Sequence, residues 1–387
     1  MSEEIRHVFI IGSKGIPANY GGYETFVENL TKRKHDKNIK YYVACQNAGK
    51  DFTYNDAFCF NVKVPSIGPA KAVYYDFFAL KRVIKIIREN KIKNPIVYVL
   101  TCRIGPFYNS CVKKIHKLGG KVFLNPDGHE RLRSKWPWIV KKYWKLSERQ
   151  MVKHSNLIIC DSLNIEKYIK NEYEKYKPNT TYIAYGADFS KSTLSDGDAK
   201  VVEWFKKFNV TPNNYYLVVG RFVPENNYET IIREFINSST SKDLVLITNV
   251  EVNKFYKKLL KKLNFEKDKR VKFVGTVYDE QLLKKIREKA FAYIHGHSVG
   301  GTNPSLLEAL ASTRLNLLFD VGFNKECGGN SCIYWTKETN NLSNLIAKSD
   351  LLSDYEIEIF DSLSTKLVKD KYDWSIIVDG YEKLFIQ

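Results

Sequence analysis

The sequence has no apolar run of the roughly 18 residues that a membrane-crossing helix needs. It also lacks a cysteine framework. The seven Cys, at 45, 59, 102, 111, 160, 327 and 332, are odd in number and scattered. Only Cys327 and Cys332 stand close, and no second pair or His completes a zinc spacing. They read as reduced, mostly buried thiols of a cytosolic protein. There is no internal repeat and no low-complexity segment. The opening, MSEEIRHVFIIGSKG, has an acidic start and no small-residue cleavage site, so it reads as a first strand and not as a secretory signal. No G-x-G-x-x-G follows that strand, and Cys45 and Gln46 stand where a ribose-binding acid is expected after the second. A dinucleotide dehydrogenase is therefore disfavoured. No D-x-D pair stands in a strand–loop position to bind a metal, so metal-independent chemistry without a cofactor is expected.

Acidic residues are in deficit. The 61 Lys and Arg exceed the 43 Asp and Glu by 18. That excess implies anionic partners: nucleotides, nucleic acid or an acidic membrane face. A nucleic-acid module is disfavoured because no binding motif accompanies the charge. At 387 residues, two domains are the natural expectation.

Short apolar runs alternate with helical periods along the chain, which predicts an α/β protein with parallel sheets covered on both faces. Strands are expected at 5–11, 41–45, 58–64, 96–100, 122–124, 157–160 and 181–184, with helices between them. Residues 189–213 are polar and read as a linker region. A second series starts at 215–219 and continues with strands at 244–248, 271–274, 291–295 and 315–319. The expected domains are 1–188 and 214–370, both Rossmann-like, facing across a ligand cleft. Residues 371–387 are expected to form a helix that packs back on the first domain.

The stretch FAYIHGHSVGGTNPSLLEALAS, 291–312, combines a buried strand, a loop with Gly300 and Gly301, and a helix opened by Asn303 and Pro304. Free N–H groups at such a terminus can hold a phosphate. Glu308, just over one turn in, can accept from a ribose hydroxyl; the plain alternative is a tight turn and a solvated Glu. The first glycine loop, Gly12 to Glu24, is long and can place Gly21 and Gly22 beside a ligand. Its plain alternative is a strand–helix connection.

A GG-x-E loop near the start, a G-R-x-x-x-E element opening the second half and a glycine loop leading into P-S-L-L-E-A-L resemble the GT-B glycosyltransferases of the large retaining family 4. The finer wording is similar to bacterial rhamnosyltransferases that build capsular and cell-wall polysaccharides. It comprises GIPANYGGYETF, NPDGHE, RSKW, KLSE, MVKH, ICDS, NIEKYI, IAYGAD, RFVPENNYETIIREF, HGHSVGGTNPSLLEALAS and DVGFN, in order from about residue 5 to 335.

The resemblance implies transfer of rhamnose from dTDP-L-rhamnose to a sugar on a polyprenyl diphosphate at the inner membrane face, by a retaining, front-side route. A UDP-hexose donor on the same fold, or a nucleotide-sugar epimerase needing no acceptor, are the alternatives. Such chemistry needs a cation at the departing diphosphate. Arg221, just after a strand, is the candidate, with an exposed structural Arg as the alternative. The implied donor-binding set is Gly21, Gly22, Arg221, Glu225, Gly300, Gly301, Thr302, Asn303 and Glu308. His129 matches the His that lines the family's active site, and Asp127 and Asp161 are candidates for acceptor or oxocarbenium contacts. Their plain readings are a core histidine, an Asp-Gly turn and a helix N-cap. Two departures stand out. Asn226 occupies the place of a second phosphate cation, which leaves Lys14 as a substitute, and Gly300 occupies the place of a second Glu.

Residues 131–154 are basic and aromatic together. Trp136, Ile139, Val140, Tyr143 and Leu146 make a helical stripe, with Arg131, Arg133, Lys135, Lys141, Lys142 and Lys145 around it and Trp138 and Trp144 alongside. A surface lying on an anionic bilayer has this composition, and so does a core-packing helix with a solvated basic face. The expectation is a cytoplasmic protein held peripherally on the membrane.

Overall fold

Two parallel sheets account for the chain's alternating apolar runs. The structure is a computed structural model that describes residues 5–18, 21–46, 49–65, 68–133, 136–251 and 254–387. It divides into unit 1, Met1–Gly186 with Trp374–Gln387, and unit 2, Ala187–Asp373.

Unit 1 holds β1 (Arg6–Ile11), β2 (Ile39–Gln46), β3 (Phe52–Tyr54), β4 (Ala57–Val62), β5 (Ile96–Leu100), β6 (Lys121–Asn125), β7 (Leu157–Cys160) and β8 (Thr180–Tyr182). Their order is β3-β4-β2-β1-β5-β6-β7-β8, parallel except for the β3–β4 hairpin. β1 lies centrally, with Phe9 beside Tyr42 on one side and Val97 on the other. Val8 to Ile11 and all of β5 are buried, which explains why these strands read as unbroken apolar runs. Each such side chain contributes about 1.5–3 kcal/mol on burial. The helix Trp374–Ile386 returns to this unit. Trp374 lies against Gly186, where a Cβ would sit 2.2 Å from the indole, so any larger residue at 186 would clash.

Unit 2 holds β9 (Tyr215–Val219), β10 (Asp243–Ile247), β11 (Val271–Phe273), β12 (Ala292–His295), β13 (Asn316–Phe319) and β14 (Ile333–Trp335), in the order β11-β10-β9-β12-β13-β14, all parallel. The order reverses direction between β9 and β12, as it does between β1 and β5 in unit 1. Open sheets of this kind bind ligands beyond the carboxyl ends of the strands at such switch points.

The expected linker, 189–213, is not one. It belongs to unit 2 and contains the helix Ala199–Lys207, whose Val201, Trp204 and Phe205 are buried with Tyr215 and Leu217. Its Ser, Asp and Gly residues form the loop before this helix, tied down by Ser192 to Glu288 and Gln281, and the helix's lysines lie on its solvent side. All seven cysteines are buried free thiols.

Candidate functional site

The unit 2 switch point is built on Gly220 and Arg221, which follow β9. Tyr228 Oη donates to the Gly220 carbonyl at 2.9 Å, and Asn226 Nδ2 donates to the Arg221 carbonyl at 2.8 Å. Asn226 is buried and turned back onto this loop, so it braces Arg221 from below. That explains why the position carries no cation. The next residue, Asn227, donates through Nδ2 to the Gly296 carbonyl at 2.8 Å, tying the loop to the end of β12. Ser298 donates through both N and Oγ to the Glu225 carbonyl, at 2.9 and 2.8 Å. These bonds hold the 221–227 loop, while the Arg221 side chain is exposed and has no protein partner among the described residues.

His295, the last residue of β12, stacks on His297 at 4.4 Å with 12° between their rings. Burial, with His297 adding to it, pushes the His295 pKa well down, so this ring is neutral at pH 7. The backbone N–H groups of Val299, Gly300 and Gly301 donate to no protein acceptor among the described residues. Gly300 has φ +147°, a conformation that side-chain-bearing residues rarely adopt. A carboxylate at this position would come at the cost of backbone strain, and the loop offers its amides instead.

Asn303 does cap the helix Pro304–Ser312. Its Oδ1 accepts from Ser305 N at 2.9 Å and Leu306 N at 3.4 Å. This corrects the expectation of free donors at the helix terminus, since Pro304 has none and the next two are engaged. The amides left for an anion are those of the preceding glycine loop. Glu308 is not a lone solvated acid either. Its Oε2 pairs with Arg287 Nη2 at 2.6 Å, and Arg287 is only 3% exposed while the Glu308 side chain is 42% exposed. The pair fixes one carboxylate oxygen and leaves the other side toward solvent. Thr302 is buried.

In unit 1 the switch point brings Gly12, Asp76 and Arg103 together. Arg103 Nη1 donates to the Gly12 carbonyl at 3.0 Å and to Asp76 Oδ2 at 3.2 Å. Thr101, at the end of β5, has φ +78°, which a β-branched residue adopts at a cost of about 1–3 kcal/mol. The first glycine loop is tied by Glu24, whose Oε1 accepts from Lys14 N at 2.7 Å. Gly21 (φ +131°) caps the helix Gly22–Lys32, and a Cβ there would lie 2.0 Å from the Glu24 carboxylate. The glycine is thus required by the path of this loop.

Asp76 is 1% exposed, and its burial outweighs the pull of Arg103, raising its carboxyl to about 6. A raised acid is at its most favourable when protonated. The folded state is therefore most stable below the ordinary carboxylate range and loses that stability as pH rises through about 6. Replacing Asp76 by Asn removes this dependence. The unfolding free energy of the Asp76→Asn protein should gain about 3 kcal/mol on wild type between about pH 4 and pH 7. Urea unfolding at the two pH values measures it, and a constant difference would contradict the burial of an ionised Asp76.

A second cluster lies past β6 and β7. Asn125 Oδ1 accepts from Tyr23 Oη at 3.2 Å and from Asp127 N at 2.9 Å. Asp127 takes a left-handed turn and accepts from Gly128 N at 2.8 Å, so the Asp-Gly turn is present. Burial, then Glu130, push its pKa up. Asp161 is buried, and the N-cap of the next helix is Ser162 Oγ, which accepts from Asn164 N at 3.1 Å. The plain reading of Asp161 as that cap is thereby removed. The hydroxyls of the half-buried Tyr23 and the buried Tyr185 have their pKa raised by burial, with Asp127 and Asp161 both contributing. His129 packs on Tyr168 at 4.3 Å, and its buried Nδ1 has no partner among the described residues. Burial and Arg131 lower its pKa, which keeps it neutral at pH 7. Sequence reasoning missed Tyr23, Arg103, Asn125, Tyr185 and Arg287, because pairing over long sequence separations leaves no local pattern.

The basic aromatic helix runs from Trp138 to His154. Its second half packs inward through Ser147, Glu148, Met151 and Val152. Its first half does not. Trp138 and Ile139 are each 63% exposed, and Leu146 is also exposed. Lys142 Nζ lies 4.5 Å from the Trp138 ring centroid, Lys145 pairs with Glu172 at 3.0 Å, and Arg133 pairs with Glu130 at 2.5 Å. Trp144 packs near Trp136 at 6.1 Å, Lys141 is half-buried, and Lys135 lies outside the described residues. Among the described residues no helix is long and apolar enough to cross a membrane. The one group there of three His, Cys, Asp or Glu with ligand atoms within 4.8 Å is His35, Asp379 and Glu382. His35 precedes β2, which puts the group at the amino ends of the strands, away from the switch point, and Glu382 already accepts from the N–H groups of His35 and Asp36.

Residues 5–188 match the family described as "Domain of unknown function (DUF1972)". No curated protein matches the sequence. Solved structures match along almost the whole chain. HepE of Anabaena in complex with UDP is 13% identical with a TM-score of 0.69, covering 98% of this chain and 99% of its own. Sucrose-phosphate synthase of Thermosynechococcus elongatus is 12% identical with a TM-score of 0.75, covering 98% of each chain. A glycosyltransferase of Rickettsia africae is 13% identical with a TM-score of 0.72, covering 99% of this chain and 98% of its own. At such identities the likeness shows the fold, which is the GT-B type with two Rossmann-like units.

Proposed function

We propose that this protein is a glycosyltransferase whose unit 2 binds a nucleoside-diphosphate sugar and whose unit 1 binds the acceptor. One observation carries the reading. The β9/β12 switch point joins an exposed, unpartnered Arg221, the unengaged amides of 299–301 and a Glu308 held in place by Arg287. These are a cation for a diphosphate, donors for its oxygens and an acceptor for a ribose hydroxyl. Similar folds solved with UDP and with UDP-glucose support the assignment.

In the reaction the bond from the anomeric carbon to the diphosphate oxygen breaks. The acceptor oxygen bonds to that carbon on the same face, and its proton passes to the departing phosphate. Arg221 and the loop amides stabilise the leaving charge. Neutral His129 is assigned to a sugar hydroxyl, and Asp127 and Asp161 to the developing positive charge or the acceptor. Gly21 and Gly22 keep the first loop's backbone near the ligand, and Glu225 fixes the Arg221 loop through Ser298. No metal or cofactor is assigned a step.

The finer reading rests on the motif resemblance. The donor is dTDP-L-rhamnose, the acceptor a sugar on polyprenyl diphosphate, and the place the inner face of the cell membrane. A UDP-hexose donor is the second reading, favoured by the UDP-bound relatives of similar fold. A panel of dTDP-L-rhamnose and UDP-glucose, read by release of the nucleoside diphosphate, separates them. Turnover of UDP-glucose alone would overturn the rhamnose assignment.

The exposed Trp138, Ile139 and Leu146 beside Lys141, Lys142 and Lys145 suit an anionic bilayer surface. Changing these three lysines to Glu should release the protein from phosphatidylglycerol vesicles, at about 1 kcal/mol per charge removed. Sedimentation with vesicles measures it, and undiminished binding would exclude this surface as the anchor.

A further inference from the structure

Arg103 has more donors than the fold uses. Its carbonyl accepts from Tyr143 Oη at 2.7 Å, and both side-chain bonds, to Gly12 and Asp76, come from Nη1. Nε and Nη2 donate to no protein group among the described residues, and 24% of the side chain is open to solvent. Its counterion, the almost fully buried Asp76, meets it through Oδ2 alone, and Oδ1 has no partner. Asp127 adds a second negative field. The strained Thr101 sets the path of the chain two residues earlier.

Exposed aromatic side chains stand on the two helices that flank this guanidinium. Phe107, one turn on, is exposed and packs against Phe77 at 4.8 Å, on the helix that carries Asp76. Tyr74 of that helix is exposed as well. Through Tyr143, Arg103 is joined to the helix whose first half exposes Trp138, Ile139 and Leu146. A fixed cation with free donors beside open apolar side chains suits an amphiphile with an anionic head, and a guanidinium fork suits phosphoryl oxygens best.

We propose that Arg103 binds a phosphoryl oxygen of the lipid diphosphate that carries the acceptor sugar, with Phe107 and Tyr74 against the start of its hydrocarbon chain. The inference rests on the glycosyltransferase reading and adds the group in unit 1 that recognises the acceptor's carrier.

The test is calorimetric titration of the full chain with farnesyl diphosphate, with pyrophosphate and with the nucleotide sugar. The main variant is Asp76→Asn with Arg103→Gln, which leaves neither charge buried alone. Arg103→Lys is the second, in case the double variant fails a circular-dichroism check. Wild type should bind farnesyl diphosphate at least tenfold tighter than pyrophosphate. The double variant should lose at least tenfold on farnesyl diphosphate, and Arg103→Lys about threefold or more, with nucleotide-sugar affinity within twofold of wild type. Unchanged farnesyl diphosphate affinity would reduce Arg103 to a structural residue. Equal affinity of wild type for the two diphosphates would remove the lipid from the proposal. A parallel loss of nucleotide-sugar affinity would move Arg103 to the donor and overturn it. Failure of the glycosyltransferase reading itself shows separately, as absence of nucleotide-sugar binding by wild type.

Discussion

Arg221→Ala should lower turnover by about 100- to 1000-fold, the usual effect of removing one group that meets charge developing in a transition state. The thermal midpoint should stay within about a degree, because the guanidinium is exposed and contacts no protein group among the described residues. Only the Arg221 carbonyl serves the fold, by accepting from Asn226 and Val223, and alanine retains it. Arg221→Lys keeps the charge but loses the fork, so it should recover part of the rate. Steady-state kinetics beside a thermal melt checks both. A near-normal rate for Arg221→Ala would exclude the side chain from the diphosphate site. A large drop in the melting midpoint would show that it is structural.

Glu308→Ala should act twice, and the two effects can be separated. Removing the carboxylate leaves Arg287 buried without its counterion, and the pair is only partly shielded, so the stability loss should be about 1–3 kcal/mol. If Glu308 also accepts from the ribose, donor affinity should fall about tenfold, the worth of one hydrogen bond to a charged group. Thymidine diphosphate and its 3′-deoxy analogue distinguish the causes. Wild type should prefer the hydroxylated nucleotide, and Glu308→Ala should bind the two alike. If the variant keeps the wild-type preference, Glu308 serves Arg287 alone.

The sequence made the sheet interiors easy to read. β1 and β5 are buried on both faces, so their apolar runs are continuous, and the expected 96–100 coincides with Ile96–Leu100. The helix opened by Asn303 was legible because capping is local chemistry. Two edge pieces, β3 and β14, were not read, although β8 and β11 are equally short and were expected at 181–184 and 271–274. The β3–β4 turn did carry a signal, since Asn55 and Asp56 both take positive φ, as a tight hairpin requires. The helix Ala199–Lys207 shows its apolar side chains at 201, 204 and 205, a helical spacing hidden among polar neighbours.

Within the site, strand ends were the readable part. Arg221, Asp127 and Asp161 all follow strands, which is where topology puts ligands. What lay beyond reach was the support. Asn226 bracing the Arg221 carbonyl, Arg287 holding Glu308 and Asp76 holding Arg103 are pairings made by the fold. The basic helix was half legible. Its stripe was read as either a bilayer-facing surface or a core face, and the structure buries only the later turns and leaves Ile139 and Leu146 in solvent.

The central claim is sugar transfer from a nucleoside diphosphate, and the mass of the product tests it most directly. The purified chain is incubated with dTDP-L-rhamnose and a synthetic lipid-diphosphate saccharide, and the lipid product is read by mass spectrometry. The expected product is an acceptor heavier by one deoxyhexose, formed in step with release of dTDP and abolished in Arg221→Ala. An unchanged acceptor mass with dTDP-L-rhamnose and with every UDP-hexose offered, while nucleotide sugars bind, would contradict the claim.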